Sequence, residues 1–343
     1  MLAVAGVDWG SLTDWMDREE LGSGPIEVAG SLGGGSQNIL VRFGRAGCDY
    51  VLRRPPLHQR ENSNETMRRE ARLLKALAGT KVPHPRLIAA CGDEGVLGAA
   101  FYLMEPVDGF NPVSGLPPLH AGSAKVQHRM GLALVEAIAE LGSLDFEALG
   151  LCDFGKPDGF LERQVSRWRA QLESYASYES WSGPEALGDV GAVGAWLGAN
   201  RPPSFRPGIM HGDFHLANVM YRNDGPELAA VVDWELATIG DPLVDLGWLL
   251  ATWPAQGDEE STVKVQPWIG FPSADELIGH YASFTGRDLA NIGWYEVLAC
   301  YKLGILLEGT HARASAGQAS GDVGDRLHAR AVRLFERASR LIA

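Results

Sequence analysis

The sequence predicts an α+β protein built in two unequal parts, and two observations carry that prediction. Between Ile26 and about Val107, short runs of β-branched and aromatic residues alternate with glycine-bearing breaks around a single helical pattern. Beyond that stretch, apolar residues recur mostly at helical spacing. The chain has 343 residues, 45% of them hydrophobic, which suffices for a sizeable core in one large domain or two lobes.

The elements follow in order. Ile39–Phe43 and Tyr50–Arg53 read as strands of a hairpin joined by the turn Gly44-Arg45-Ala46-Gly47. From Asn64 to Ala78, Met67, Leu74 and Leu77 recur at helical spacing, Gly79 supplies a stop, and Glu70 falls on the same apolar face. Phe101–Met104 is a further strand, and Glu105–Gly109 contains the breakers of a hinge. A Pro/Gly-rich loop at 111–118 precedes an amphipathic helix from Val126 to Leu141, and Gly155 to Tyr178 reads as a charged helix containing RQVSRWRAQL. Residues 180–208 read as loops around a short helix at 189–198. Ala229–Asp233 is a short buried strand ending in a carboxylate, followed by helices from Leu243, Ala274, Trp294 and Val323. There is no internal repeat and no low-complexity tail.

Thirty basic against forty-three acidic residues give a formal charge of -13, which argues against nucleic acid or an anionic membrane as partner, because their phosphates would be repelled. A local basic pocket stays compatible with that balance, and the acidity suits either a cationic substrate or plain solubility. Cys48, Cys91, Cys152 and Cys300 form no CxxC pair and read as buried thiols in a reducing compartment. Asp8, Asp14 and Asp17 interrupt the N-terminal hydrophobicity, so no secretory signal is expected. No run reaches the roughly eighteen apolar residues of a membrane span, and the expected location is the cytoplasm. Oligomeric state leaves no signature, since neither heptads nor an exposed apolar stripe emerge.

Three groups of residues could do chemistry. In SLGGGSQN, Gly33, Gly34 and Gly35 would let the backbone approach a phosphate closely, although an ordinary flexible turn reads the same way; the stretch is neither a Walker loop nor a GxGxxG fingerprint. Arg53 ends a strand eighteen residues after Gly35, and Glu70 lies on the inward face of the next helix. Such a pair would hold α- and β-phosphates; the alternative is a surface arginine and a solvated glutamate, but a glutamate buried without a partner would be costly. In MHGDFHLANVM, Asp213 is followed five residues later by Asn218 and twenty residues later by Asp233. Hard oxygen donors at that spacing suit magnesium, with Asp213 accepting the proton of an attacking hydroxyl and His211 and His215 shaping the loop. A rival reading takes His211, Asp213 and His215 as an HxDxH transition-metal site for a metal-dependent hydrolase, which needs further histidine ligands that form no comparable cluster.

HGDFHLAN followed by VVDWELATIGDPLVDLGWLL resembles the phosphotransferase motif of the aminoglycoside phosphotransferase and choline kinase group, which shares the protein-kinase fold, and the similarity covers nearly the whole chain. Within that group the likeness is to kinase-like domains related to those attached to acyl-CoA dehydrogenases, through GGGSQN, YVLRRPP, RREARLL, FYLMEPVDG, GLCDFGKPDGFLERQVSRW and YKLGILLEGTHARASAGQ. The resemblance implies a bilobal α+β fold: residues 1–107 as a small antiparallel-sheet lobe with one main helix that binds nucleotide and ends in the hinge, and 108–343 as a larger, mostly helical lobe. It implies ATP and Mg2+ as cofactors and a small hydroxylated molecule as acceptor. Asp213 would be the catalytic base, with Asn218 and Asp233 as magnesium ligands. Gly33, Gly34, Gly35, Ser36 and Asn38 would cover the phosphates, and Met104, Glu105 and Val107 would form the adenine-binding hinge. Arg53, paired with Glu70, stands where most kinases carry lysine; arginine also occurs there in the acyl-CoA dehydrogenase-related subgroup. It keeps the charge on a longer, forked side chain, and so leaves a nucleotide-binding pseudokinase as the second reading. Asp241 and Asp245 would brace the catalytic loop and cap the next helix, with Pro242 at its first position. An acceptor pocket is expected between the catalytic loop and helices around 160–178 and 294–313, lined by Trp168, Tyr301 and Lys302 unless the two aromatics are core. Lys302 would favour an anionic acceptor over a cationic aminoglycoside.

Overall fold

The computed structural model describes residues 6–32, 38–57, 62–254 and 263–343. The first part is a five-stranded antiparallel sheet of β1 (Glu27–Ser31), β2 (Ile39–Arg45), β3 (Cys48–Arg54), β4 (Leu87–Cys91) and β5 (Phe101–Met104), in the order β1-β2-β3-β5-β4. Helix α1 (Trp9–Arg18) covers one face, where Leu12, Trp15 and Met16 meet Phe43, Tyr50, Leu52 and Leu103. Helix α2 (Ser63–Leu77) lies on the other, so the alternation of β3 sends Tyr50 and Leu52 towards α1, and Val51 and Arg53 towards α2. Helix α1 escapes sequence reading because its acids look like interruptions. In the structure Asp8 caps the helix, accepting hydrogen bonds from Gly10 N and Ser11 N at 3.0 and 3.1 Å, while Asp17 pairs with Arg45.

The hairpin is tighter than the sequence suggests. Strands β2 and β3 pair through Arg45↔Cys48, and only Ala46 and Gly47, both at positive φ, form the turn. The buried Arg45 belongs to the strand because it spans from the sheet to Asp17 and the Gly24 carbonyl. The cysteine expectation holds for Cys91 and Cys300 but not for Cys48 and Cys152, which are exposed: Cys48 opens β3 beside the turn, and Cys152 lies in a loop.

The short helix α3 (Glu94–Leu97) lies between β4 and β5; beyond β5 come the short α4 (Pro118–Ala121), then α5 (Ala124–Ser143), α6 (Glu162–Ser174) and α7 (Val190–Ala199). Helix α6 begins seven residues later than Gly155, because that glycine packs against the Ile239 backbone and Pro157 starts a turn closed by Phe160 N. Helices α8 (Leu243–Thr252), α9 (Ala274–Phe284), α10 (Ile292–Ser315) and α11 (Gly321–Ile342) complete the second part, with α8 buried along its whole length and packed on α5 and α10. No described helix is long and apolar enough to cross a membrane.

Two small ladders set up the site. Strand β6 (Gly208–Met210) pairs with β9 (Thr238–Gly240), and β7 (Val219–Tyr221) pairs with β8 (Leu228–Val231). The loop 211–218 connects β6 to β7, and the segment 232–237 connects β8 to β9, so the pairing at both ends forces these two connections to lie side by side.

Candidate active site

The two connections are stitched together by Val232. Its N–H donates to the Asn218 carbonyl at 2.9 Å, and its carbonyl lies 2.9 Å from His211 Nε2. Beside it, Asp233 leaves the strand earlier than the sequence suggests and adopts a left-handed conformation, φ 67° and ψ 63°, that a non-glycine residue reaches only when its surroundings impose it. Gly212, at φ 87°, lets the loops touch: a Cβ there would sit 2.5 Å from the Leu236 carbonyl oxygen.

Beneath the loop 211–218 lies the fully buried Asp245. Its oxygens accept from His211 N at 2.6 Å and Gly212 N at 2.8 Å, and burial raises its pKa. Asp241 accepts from Leu243 N at the start of α8 and from the Tyr295 hydroxyl at 2.5 Å. Lys302 comes up from α10, donates to the Gly212 carbonyl at 2.8 Å, and lies 4.2 Å from the centre of the Trp248 ring; burial pushes it down to about 8 against the pull of Asp213 and Asp245. Of the proposed pocket lining, Lys302 thus supports the loop from below, Trp168 backs it at 5.5 Å, and Tyr301 packs edge-on against Phe335 in the core.

At the surface of the loop, the Asp213 carboxylate accepts from Asn218 Nδ2 at 2.9 Å and lies 3.2 Å from His215 Nε2. Burial disfavours its charge, but the His215 hydrogen bond and the charges of His215, His211 and Lys302 outweigh that and hold the carboxyl well below the usual carboxylate range. Asn218 Nδ2 also donates to the Asp213 carbonyl, which turns Oδ1 away from Asp213. His211 Nδ1 takes the Asp213 N–H at 3.3 Å, so both of its ring nitrogens face protein partners and the HxDxH arrangement would have to break them to ligate.

Across the cleft, Arg53 bridges two carboxylates. Its Nε lies 3.0 Å from Glu70 Oε2, and its Nη2 donates to Asp233 Oδ1 at 2.8 Å. Both members of the first pair are buried, and Tyr102, two positions before the hinge, donates its hydroxyl to Glu70 at 2.8 Å. Burial pushes Glu70 up to about 7, while Arg53 and Tyr102 pull it down. Glu235 is half-buried beside Asp233, takes an amide contact from Asn38 at 3.4 Å, and has its pKa raised first by burial and then by Asp233. Tyr102 and Glu235 are missed by motif reading; a carboxylate two residues after Asp233 is the only trace in the sequence. Gly33, Gly34, Gly35 and Ser36 lie outside the described residues. In the hinge, Met104 ends β5, Glu105 N donates to the Arg86 carbonyl while its carboxylate pairs with the Arg86 side chain, and Val107 lies on the chain leading into the helical part.

Beside Leu236 a cavity of about 660 Å³ opens between α2, α6 and the segment 235–238. Arg69, Lys156, Arg163 and Arg167 line it, and Arg167 is close enough to depress Lys302 further. In a chain of net charge -13, this is the basic pocket that composition alone leaves open.

A model of the phosphotransferase enzyme family matches residues 29–275. Acyl-CoA dehydrogenase family member 11 of Gallus gallus is 31% identical over 92% of this chain, but the chain spans only 41% of that relative's length. A crystal structure from Ralstonia eutropha, provisionally described as an aminoglycoside phosphotransferase, is 30% identical, covers 97% of this chain and 99% of its own, and superposes with a TM-score of 0.79. The ternary complex of aminoglycoside phosphotransferase APH(4)-Ia with ADP and hygromycin B shares the fold at 15% identity, 94% and 98% coverage and a TM-score of 0.58. With a bilobal kinase-like fold and a family match over most of its length, the chain belongs to the phosphotransferase enzyme family.

Proposed function

We propose that this protein transfers the γ-phosphate of ATP to a hydroxyl of a small, negatively charged molecule, with Mg2+ as cofactor. One observation supports the reading: Val232 ties the Asp213–Asn218 loop to the residue before Asp233, which brings together from separate segments the side chains that would serve as proton acceptor and hard oxygen donors. The donor set of Asn218 Oδ1 and Asp233 suits Mg2+, which would neutralise charge on the phosphate oxygens. Asp213, held ionised by His215, takes the proton of the acceptor hydroxyl as it attacks. Arg53, oriented by Glu70, meets the phosphates, Gly33 to Asn38 cover them, and the hinge from Met104 to Val107 holds the adenine. Residues 1–107 then form the nucleotide lobe and 108–343 the acceptor lobe, in a cytoplasmic enzyme.

The cavity beside Leu236 supports an anionic acceptor and disfavours a cationic aminoglycoside, since Arg69, Lys156, Arg163 and Arg167 outnumber the single Glu235 carboxylate in its lining, even with Arg69 and Arg163 donating to backbone carbonyls. This moves acceptor recognition from Lys302, which is spent on Gly212, to Arg167 and Lys156, with Arg163 held beside them by the Lys156 and Asp158 carbonyls. The test is a screen of hydroxylated acids, phosphorylated alcohols and antibiotics for Mg2+-dependent ADP release, with Asp213→Asn as the blank. Loss of the base should lower kcat by roughly a hundred- to ten-thousandfold while nucleotide still binds; full activity in that variant removes Asp213 from the chemistry. The second reading, a nucleotide-binding pseudokinase, is favoured by Arg53 in the lysine position, and any Asp213-dependent turnover counts against it.

A further inference from the structure

The motif YKLGILLEGTHARASAGQ contains two residues that phosphotransfer leaves unused. Glu308 and His311 stand one turn apart on one face of α10, and α11 brings His328 against them. Glu308 is fully buried within an apolar seam, a placement that requires compensation. Its Oε2 lies 2.7 Å from His328 Nδ1, and its Oε1 accepts from Trp181 Nε1 at 2.7 Å. The two imidazole rings face one another with centroids 4.4 Å apart. His311 Nδ1 is buried without a hydrogen-bond partner, and Asp325 Oδ1 stands 3.6 Å from it. One ligand atom from each of Glu308, His311 and His328 falls within 4.8 Å of the others.

The seam closes here because Gly324 has no side chain: a Cβ would lie 2.5 Å from that of Ala314 and 3.4 Å from His311 Cα. The close approach places His328, one turn beyond Gly324, directly over Glu308. From this geometry we infer a zinc site that clips α11 to α10, with Glu308, His311 and His328 as ligands and Asp325 or water in the fourth position. Two imidazoles and a carboxylate select a borderline transition ion over Mg2+ or Ca2+, and three protein ligands with a fourth, exposed position fit tetrahedral Zn2+. Trp181 fixes the carboxylate through its other oxygen, as an outer partner of a metal ligand does. Uptake would replace the His328 Nδ1–Glu308 contact by two metal bonds, with the neutral imidazole carrying its proton on Nε2, so that no net proton transfer is required. The N···O separation must open from 2.7 Å to about 3.3 Å, which follows from metal–ligand bonds of about 2.0–2.1 Å at a tetrahedral angle.

The experiment titrates Zn2+ into the chelator-treated full chain, by calorimetry and by metal analysis after desalting. One Zn2+ per chain is expected, with a rise in Tm that saturates with the ion, and tetrahedral absorption when Co2+ is used instead. His328→Gln keeps an amide donor for Glu308 and so preserves the fold, yet should weaken zinc more than about 100-fold, beyond the effect of losing an outer partner. His311→Ala should do the same, and His215→Ala should leave zinc binding intact. A folded wild-type chain that takes up no stoichiometric zinc overturns the proposal. So does uptake that survives His328→Gln and His311→Ala together, or that depends on His215.

Discussion

Replacing Arg53 with Met removes the cation from a buried pair while leaving the side-chain volume nearly filled. Breaking a buried ion pair by removing one partner typically costs about 3–5 kcal/mol. The contact to Asp233, whose side chain is 41% exposed, adds at most about 1 kcal/mol, and Tyr102 still donates to Glu70, so the lower end, about 3 kcal/mol, applies. The charge leaves a pH signature. Glu70 is pushed up to about 7 with Arg53 present, and without it the carboxyl must rise further. A carboxyl raised in the fold binds more protons folded than unfolded, so stability falls as pH rises between the unfolded and folded values. In the wild type this window ends near 7; in Arg53→Met it extends higher, and the deficit grows by up to about 1.4 kcal/mol per pH unit above that point. Urea unfolding from about pH 6 to about pH 8.5 measures it, with Glu70→Gln and the double variant completing a cycle whose coupling should exceed about 2 kcal/mol. Additivity within about 0.5 kcal/mol, or a deficit independent of pH, would refute the claim that burial and this pairing control Glu70.

Two further outcomes follow from the loop 211–218 and its support. His215→Ala removes the partner that lowers Asp213, so, if Asp213 is the proposed base, the acid limb of the kcat/KM profile, expected below the usual carboxylate range in the wild type, should move up in pH; an unmoved limb would separate His215 from the titration. Lys302, depressed from 10.5 to about 8, is disfavoured in its charged form, so wild-type stability should rise as pH climbs from about 8 towards 10.5. Lys302→Met should flatten that rise in thermal unfolding scans, and a variant that keeps the slope would place its source elsewhere.

Residues that repeat with an element's own period were legible in the sequence. Met67, Leu74 and Leu77 announced α2 and carried Glu70 onto its buried face, while residue type and spacing singled out Asp213, Asn218 and Asp233, which lie on two connections joined by Val232. What stayed hidden depends on contacts between distant segments. Helix α1 is defined by a cap and by an ion pair to Arg45, 28 positions from Asp17, and its acids lie on the face turned from the core. Lys302 looked like a pocket cation because its sequence neighbours give no hint of the Gly212 carbonyl 90 positions away. The charge total concealed the basic cavity for the same reason, since a sum over the chain says nothing about where four cationic side chains meet.

Arginine at position 53 acquires a physical rationale from this geometry. Holding Glu70 from α2 and Asp233 from the β8–β9 connection asks for a spread cation: the guanidinium sets Nε 3.0 Å from Glu70 Oε2 in an ion pair, while Nη2 donates to Asp233 at 2.8 Å and to Glu70 Oε1 at 3.4 Å. A lysine ammonium would have to satisfy both from one atom at the end of a shorter stem. The fork therefore links sheet, helix and the segment that carries the proposed magnesium ligand. On the proposed reading, it occupies Asp233 Oδ1, so that an ion shares this carboxylate with Arg53 and draws on its remaining oxygen. Arginine then sets the position of Asp233 as well as meeting phosphate. Losing it should shift the Mg2+ dependence of turnover along with the affinity for nucleotide, whereas a purely phosphate-binding cation would affect the nucleotide alone.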